Sequence, residues 1–368
     1  MPDPFRFADE LGPLKIVHIH RPAVGLKAVV AVDNVACGPA IGGCRMAPDV
    51  SAEEAFRLAR AMTFKNAAAG LAHGGGKSVI FGDPRMQTAD KERLIRAFAG
   101  VIADVTDYIV GPDMGTDELC MGWVKDEIGR AVGLPREIGG IPLDEIGATG
   151  LGLAAAIDAA KDAAEITLKG ARVAVQGFGA VGKHAARFLA ERGAILVAAS
   201  DTTGTLADAD GLDIAALIRL KAEGRKLYDH PRGKKLDRDA IIDAECDIWI
   251  PAARPDVIRA DNVARLRTRL VAQGANIPFT PEAEAQLHKR GILVLPDFIA
   301  NAGGVICAAV EYHGGTESAA LATIVEKIAA NTHAVLDEVK RTGALPRAAA
   351  VALAERRVRA AMATHRWR

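Results

Sequence analysis

Hydrophobic and polar positions alternate with period two along residues 15–32. There Ile16-Val17-His18-Ile19-His20 and Lys27-Ala28-Val29-Val30-Ala31-Val32 predict strands. Ser51-x-x-Glu54 reads as a capping box, and Ala55, Leu58, Ala59 and Met62 follow at helical spacing. Gly74-Gly75-Gly76 predicts a turn leading into a strand at Ser78-Val79-Ile80-Phe81. A helix carrying Leu94, Ile95, Phe98, Val101 and Ile102 precedes a strand at Tyr108-Ile109-Val110. From about Gly150 the texture becomes a regular alternation of short apolar strands and amphipathic helices. The strands are Arg172–Gln176, Ile195–Ser200, Asp247–Pro251, Leu270–Gln273 and Leu293–Leu295, with helices near 151–164, 180–192, 213–223 and 281–290. That is the βαβ pattern of a doubly wound parallel sheet. An Ala-rich tail from Thr323 to about Thr364 predicts two more helices packing back toward the first domain. The expected architecture is α/β in two domains. A mixed α/β substrate domain covers 1–147 with the C-terminal helices (about 330–368), and a Rossmann-type domain covers 148–329.

Composition narrows the function. At roughly 150 residues per domain, 368 residues suit about two. With 46 basic and 46 acidic side chains there is no general attraction for nucleic acid or an anionic membrane. The longest stretch without Asp, Glu, Lys or Arg, Phe298–Val310, has 13 residues, short of the roughly 18 a bilayer span needs. The opening Met-Pro-Asp-Pro-Phe-Arg lacks the basic and then apolar order of a signal peptide, so a cytoplasmic location is expected. Five scattered cysteines without a C-x-x-C read as reduced thiols, neither a disulfide framework nor a zinc site. Thirty-seven glycines against 4% aromatics suggest many tight turns or close backbone approaches, which suits nucleotide handling.

The strongest motif is Gly177-Phe178-Gly179-Ala180-Val181-Gly182, between the strand Arg172–Gln176 and a helix carrying Ala185, Phe188 and Leu189. In that context G-x-G-x-x-G is a dinucleotide fingerprint rather than a bare turn, with glycines admitting a pyrophosphate to the helix N-terminus. Asp201, 24 residues after Gly177, ends the next strand and is placed to accept from the adenosine ribose. A carboxylate there, with no Arg or Lys in Thr202-Thr203-Gly204, favours NAD over NADP. Gly76-Lys77-Ser78 imitates the end of a Walker A loop, but position 71 is Leu and the helix–strand order is reversed, so that reading fails. Lys65 closes a helix, and Lys77 and Asp113 (in Val110-Gly111-Pro112-Asp113) sit beside glycine loops at strand ends. Two neighbouring ammonium groups depress one another's pKa, which suits proton transfer. Spacing alone leaves these as ordinary solvated side chains. His18, His20 and His73 lack a third ligand at recognisable spacing, so surface histidines are favoured over a metal site.

Several long motifs give the sequence a resemblance. Gly38-Pro39-Ala40-Ile41-Gly42-Gly43-Cys44-Arg45-Met46, Met62-Thr63-Phe64-Lys65-Asn66-Ala67-Ala68-Ala69-Gly70 and Gly74-Gly75-Gly76-Lys77 come first. Gly111-Pro112-Asp113-Met114-Gly115-Thr116, Gly274-Ala275-Asn276 and Pro296–Val305 continue in order. Together they resemble the glutamate/leucine/phenylalanine/valine dehydrogenases over roughly residues 25 to 315. The resemblance implies that Lys65 binds the substrate α-carboxylate, with Gly42 beside it. It makes Lys77 the catalytic lysine and Asp113 the proton shuttle, and has Thr149, Asn276 and Asn301 line the nicotinamide side. The reaction it implies is reversible oxidative deamination of an L-amino acid to a 2-oxo acid and ammonia. The implied assembly is a homo-oligomer, hexamer or octamer.

Substrate choice rests on departures from the glutamate branch. Ile41 stands where those enzymes carry a lysine for the side-chain carboxylate, and Ala308 where they carry a supporting serine. Burying a carboxylate against Ile and Ala without a partner costs several kcal/mol. A pocket of Ile41, Met62, Val305 and Ala308 therefore predicts an apolar substrate of leucine, valine or phenylalanine type with NAD. Glutamate dehydrogenase is the alternative, and Gly147-Ala148-Thr149-Gly150 and 200–260 look closer to that branch. A non-catalytic NAD-binding regulator is the rival from another class, against which the joint presence of Lys65, Lys77 and Asp113 argues.

Overall fold

The computed structural model describes residue 3 and residues 5–365; Met1, Pro2 and Pro4, on which part of the leader expectation rests, and 366–368 lie outside the described residues. The chain divides into two compact units. One comprises Met1–Leu143, Val305–Ala320 and Leu353–Arg368, the other Asp144–Gly304 and Leu321–Ala352. These limits differ from the expected 1–147 and 148–329, because each of the last three helices is shared between the units.

In the first unit the elements run β1 (Lys15–Arg21), β2 (Leu26–Val32), β3 (Ala40–Ala47), α1 (Ala52–Ala68), β4 (Gly74–Phe81), α2 (Thr88–Val101), β5 (Tyr108–Pro112) and α3 (Glu118–Ile128). The sheet order is β1-β2-β4-β3-β5. β3 runs parallel to β4 and β5, while β1–β2 and β2–β4 are antiparallel. Both faces of β2 are buried. Val30 and Val32 join Met46, Ile80, Phe98 and Tyr108 on one side, and Val29 and Ala31 meet Ala55, Ala59 and Val79 under α1 on the other. Two-sided burial explains the nearly continuous apolar run in β2. Ser51 caps α1 by accepting from the Glu54 N–H at 3.1 Å, while the Glu54 carboxylate pairs with Arg45.

The expected turn at Gly74–Gly76 is instead the beginning of β4. These glycines serve close packing. A Cβ on Gly75 would lie 2.1 Å from the Thr63 nitrogen of α1, and one on Gly76 would lie 2.7 Å from the Tyr108 ring. A Cβ on Gly42 would lie 1.6 Å from the Gly76 carbonyl oxygen of the adjacent strand.

The second unit contains α4 (Leu143–Ile146) from Asp144 onward, then α5 (Ala148–Ala160), β6 (Arg172–Gln176), α6 (Ala180–Ala190), β7 (Ile195–Ser200), β8 (Thr205–Ala207) and α7 (Ile214–Ala222). β9 (Lys234–Leu236), β10 (Ile248–Pro251), β11 (Leu270–Ala272), α8 (Pro281–Lys289), β12 (Leu293–Leu295) and α9 (Asp297–Ala300) follow. α10 (Gly303–Tyr312), α11 (Glu317–Thr342) and α12 (Pro346–Met362) are the shared helices. The sheet order is β12-β11-β10-β6-β7-β8-β9, parallel as far as β7 and antiparallel beyond it. β8 and β9 have three residues each, too few to leave a periodic signal. Among the described residues no helix is long and apolar enough to cross a membrane.

A polar network is buried at one end of this sheet. Arg347, at the start of α12, donates to Glu284 at 2.8 Å, Asp297 at 2.9 Å and the Gln273 side-chain oxygen at 2.7 Å. Asp297 in turn accepts the Ile277 N–H at 2.8 Å, and its own N–H reaches Gln273. Removing one partner from such a network leaves charges buried without compensation. Arg347→Ala is therefore expected to cost about 3–5 kcal/mol, read as a lowered unfolding midpoint in calorimetry; an unchanged midpoint would show the network to be energetically idle.

Candidate active site

In the first unit the candidate groups converge on one face of adjacent strands. Lys77 lies within β4, not at its start, and is 6% exposed. Its Nζ donates to Asp113 Oδ2 at 2.8 Å, and Arg45 Nε from β3 reaches the same oxygen at 2.9 Å. Burial alone would raise the Asp113 pKa, but the charges of Lys77 and Arg45 outweigh it and hold the carboxyl at about 2. Gly43 makes room for this pair, since a Cβ there would lie 2.7 Å from the Asp113 Cβ and 3.2 Å from Lys77 Nζ. The backbone of Asp113 is fixed as well. Its N–H donates to Thr116 Oγ1 at 3.0 Å, and that hydroxyl donates to the Cys44 carbonyl at 2.8 Å.

Lys65 occupies the last turn of α1, half-buried. The neighbouring Asn66 donates to the Gly74 carbonyl at 2.7 Å and to the Ile41 carbonyl at 3.3 Å, which ties this turn to β3 and β4. Of the expected side-chain pocket, Ile41 and Ala308 are buried, while Met62 and Val305 are half-buried, all within the first unit.

Arg45 carried no role in the sequence reading, although it stands two residues beyond Gly43 on the same strand face. Its Nη1 donates to Glu54 Oε1 at 2.6 Å, so Glu54 on α1 holds the guanidinium against Asp113. The three histidines divide. His18 and His20 are exposed on β1. His73 is buried, with Nδ1 donating to the Pro39 carbonyl at 3.0 Å and Nε2 3.1 Å from His313 Nε2. Among the described residues no group of three or more His, Cys, Asp or Glu could hold a metal ion.

In the second unit the fingerprint forms a cradle. Gly177 has φ +94°, which L side chains rarely adopt, and a Cβ there would meet Ala253 at 2.7 Å. A Cβ on Gly182 would lie 2.1 Å from the Gly177 carbonyl oxygen, so this glycine lets α6 close on the loop. Gly179, the N-cap of α6, faces open space with nothing within 4 Å of a built Cβ. Phe178 is fully buried, while Ala180 and Val181 open the helix. The cradle opens on a cavity of about 400 Å³ lined by Gln176, Phe178, Gly179 and Asp201 among others. Gln176 Oε1 and Asn301 Oδ1 are buried acceptors without a protein partner. A free helix N-terminus and unused acceptors fit a dinucleotide's phosphates and amide donors.

Asn301 Nδ2 donates to Asn276 Oδ1 at 3.0 Å, which brings these two candidates together. Gly303 packs onto Thr149, since a Cβ there would be 3.1 Å from the Thr149 Cα. His184 on α6 lies under the same segment, against Gly147 and Gly150. Burial, with the Arg187 and Lys183 charges added, pushes its imidazole down to about 4.

Two outcomes follow. Arg45→Met should lower kcat about 10–100-fold by loosening Asp113 with a smaller change in KM, and Arg45→Lys should restore part of it. Equal losses in both parameters for the two variants would remove the positioning role. For His184, the unfolded imidazole titrates near 6.5 and the folded one near 4. The unfolded state therefore binds more protons across that window, and stability falls as pH drops through it. Thermal midpoints of His184→Met should decline less over the same range than those of the unmodified protein.

The family described as Glutamate/Leucine/Phenylalanine/Valine dehydrogenase matches residues 139–366, and its dimerisation domain matches 15–130. A glutamate dehydrogenase of Aeropyrum pernix is 38% identical over 322 residues, 82% of this chain and 77% of that protein. The hetero-hexameric glutamate dehydrogenase of Thermus thermophilus, solved with Leu bound, superposes with a TM-score of 0.86 at 29% identity, covering 97% of this chain and 91% of its own. The L-tryptophan dehydrogenase of Nostoc punctiforme superposes with a TM-score of 0.74 at 28% identity, covering 96% and 98%. The chain belongs to the Glu/Leu/Phe/Val dehydrogenase family and is an NAD(P)-dependent amino acid dehydrogenase that carries out reversible oxidative deamination at the CH–NH2 group of its donors.

Proposed function

We propose that the substrate is an L-amino acid with an apolar side chain, of leucine, valine or phenylalanine type, with NAD as a hydride acceptor. The observation that carries this reading is the burial of Ile41 and Ala308, 3% and 7% exposed, which by the family resemblance stand where the glutamate branch carries a lysine and a serine. A side-chain carboxylate there would lose its hydration without gaining a partner. In this reading Lys65 binds the α-carboxylate beside Gly42. Asp113, ionised at any physiological pH, takes a proton from the substrate ammonium. A nicotinamide held by Thr149, Asn276 and Asn301 would supply the acceptor for the hydride from Cα. Lys77 then lends its charge to the oxygen that develops as water adds to the imine, and ammonia leaves. Gly177, Gly179, Gly182, Asp201, Thr149, Asn276 and Asn301 hold the cofactor.

A second reading, glutamate as substrate, draws on the names of the Aeropyrum pernix and Thermus thermophilus relatives. It requires a basic group from outside the positions of Ile41 and Ala308. The family's dimerisation-domain match and the position of β1 as the outermost strand of its sheet support a homo-oligomer, hexamer or octamer. Five free thiols suit the reducing cytoplasm.

Initial rates of NAD reduction with leucine, valine, phenylalanine and glutamate separate the readings. An apolar substrate should lead glutamate by at least about tenfold in kcat/KM, and Ile41→Lys combined with Ala308→Ser should narrow or reverse that lead. Glutamate leading in the unmodified enzyme overturns the apolar reading. Asp113→Asn should lower kcat about 10²–10⁴-fold while NADH binding, followed by fluorescence, persists.

A further inference from the structure

His73, immediately before β4, meets a second imidazole in the fold. It is 1% exposed, whereas its neighbour His313, immediately after α10 and 240 residues further along, is open to solvent. Their Nε2 atoms are 3.1 Å apart and their ring centroids 5.1 Å apart. Pro39, His73 and His313 all belong to the first unit. The Pro39 carbonyl can only accept, so His73 Nδ1 carries the proton and Nε2 keeps its lone pair. One ring nitrogen held by a backbone carbonyl, with the other left free, is the arrangement found behind metal-bound imidazoles. A divalent transition ion bonds imidazole nitrogen at about 2.0–2.1 Å. Bond angles between square and tetrahedral then set two such nitrogens roughly 2.9–3.4 Å apart. The 3.1 Å spacing falls inside that range. Glu311, two residues before His313, is committed to the backbone N–H groups of Gly133, Leu134 and Ile141. Among the described residues no third His, Cys, Asp or Glu completes the set, so the remaining positions fall to water.

We propose that His73 and His313 form a two-imidazole binding site for a divalent transition metal ion of the zinc or copper type. Without the ion, His313 Nε2 donates to the lone pair of His73 Nε2. With it, that proton moves through solvent to Nδ1 of His313, and both Nε2 lone pairs meet the ion. Imidazole nitrogen suits zinc and copper, whereas magnesium and calcium prefer oxygen. The bound ion ties the start of β4, the strand of Lys77, to the end of α10, the helix of Ala308. Such a crosslink stabilises the folded state by mass action.

The test is calorimetric titration of the full chain with zinc chloride at about pH 7.5, above the ordinary histidine range. Copper(II) electron paramagnetic resonance accompanies it. Zinc should bind at a single strong site per chain and raise the thermal midpoint. Copper should bind more tightly and show splitting from coordinated nitrogen. His313→Gln keeps an amide donor for His73 Nε2 but offers no ring nitrogen. It should leave the metal-free midpoint nearly unchanged, weaken zinc at least about tenfold and abolish the zinc-induced rise. A His18→Ala/His20→Ala double variant controls for the exposed pair on β1 and should keep the strong site. Zinc held at full affinity by His313→Gln overturns the proposal, as does loss of the strong site in the β1 variant. Neither heat nor a copper–nitrogen signal at about millimolar ion also overturns it.

Discussion

The ion pair between Lys77 and Asp113 sets the terms for the rest of the first unit. An ammonium held at 6% exposure within a strand is tolerable only when a carboxylate meets it directly, and Asp113 does so at 2.8 Å. That requirement accounts for the glycines around it. Gly43 clears space for the pair, while Gly75 admits α1 and Gly76 admits the Tyr108 ring against the strand residues that lead into the lysine. Arg45 adds a second cation to the same oxygen and is itself steadied by Glu54. The outcome is a carboxylate that stays charged although burial works against it.

The second unit meets a different constraint, that of presenting backbone donors and unpaired acceptors without collapsing on them. The open face of Gly179 and the unpartnered oxygens of Gln176 and Asn301 are stable only because neighbouring elements are tightly held. Asn301 is braced by Asn276 and the Gly274 carbonyl. The segments carrying both asparagines are tied down by the Arg347 network through Asp297 and Gln273. Rigid support for open polar groups is what lets a preformed site bind without reorganising.

Substrate choice brings the local chemistry and the wider likeness into tension. Most of the length compares well with glutamate enzymes, whereas the pocket proposed around the buried Ile41 and Ala308 would offer a carboxylate nothing. Fold and fingerprint are shared across the family, but the few groups that touch the side chain decide which amino acid binds.

The amino-acid sequence by itself determined the architecture and the chemical inventory. Apolar periodicity marked nearly every strand and helix of the second unit, and the glycine fingerprint with its flanking strand and helix marked the nucleotide cradle, because both depend on local spacing. Lys65, Lys77 and Asp113 were identified by their motifs, yet spacing could not show that Lys77 is buried mid-strand or that Arg45 shares its carboxylate. Those facts depend on three strands and a helix meeting. The glycine run at 74–76 was expected as a turn because glycine usually signals one, and only the packing of α1 and Tyr108 shows why a strand needs it. Asp201 likewise looked like an unopposed negative charge, since Lys221, whose Nζ lies 3.1 Å from it, stands 20 residues further along the chain. Tertiary structure decides such electrostatics because charge acts through distance in space, which the linear order of residues does not record.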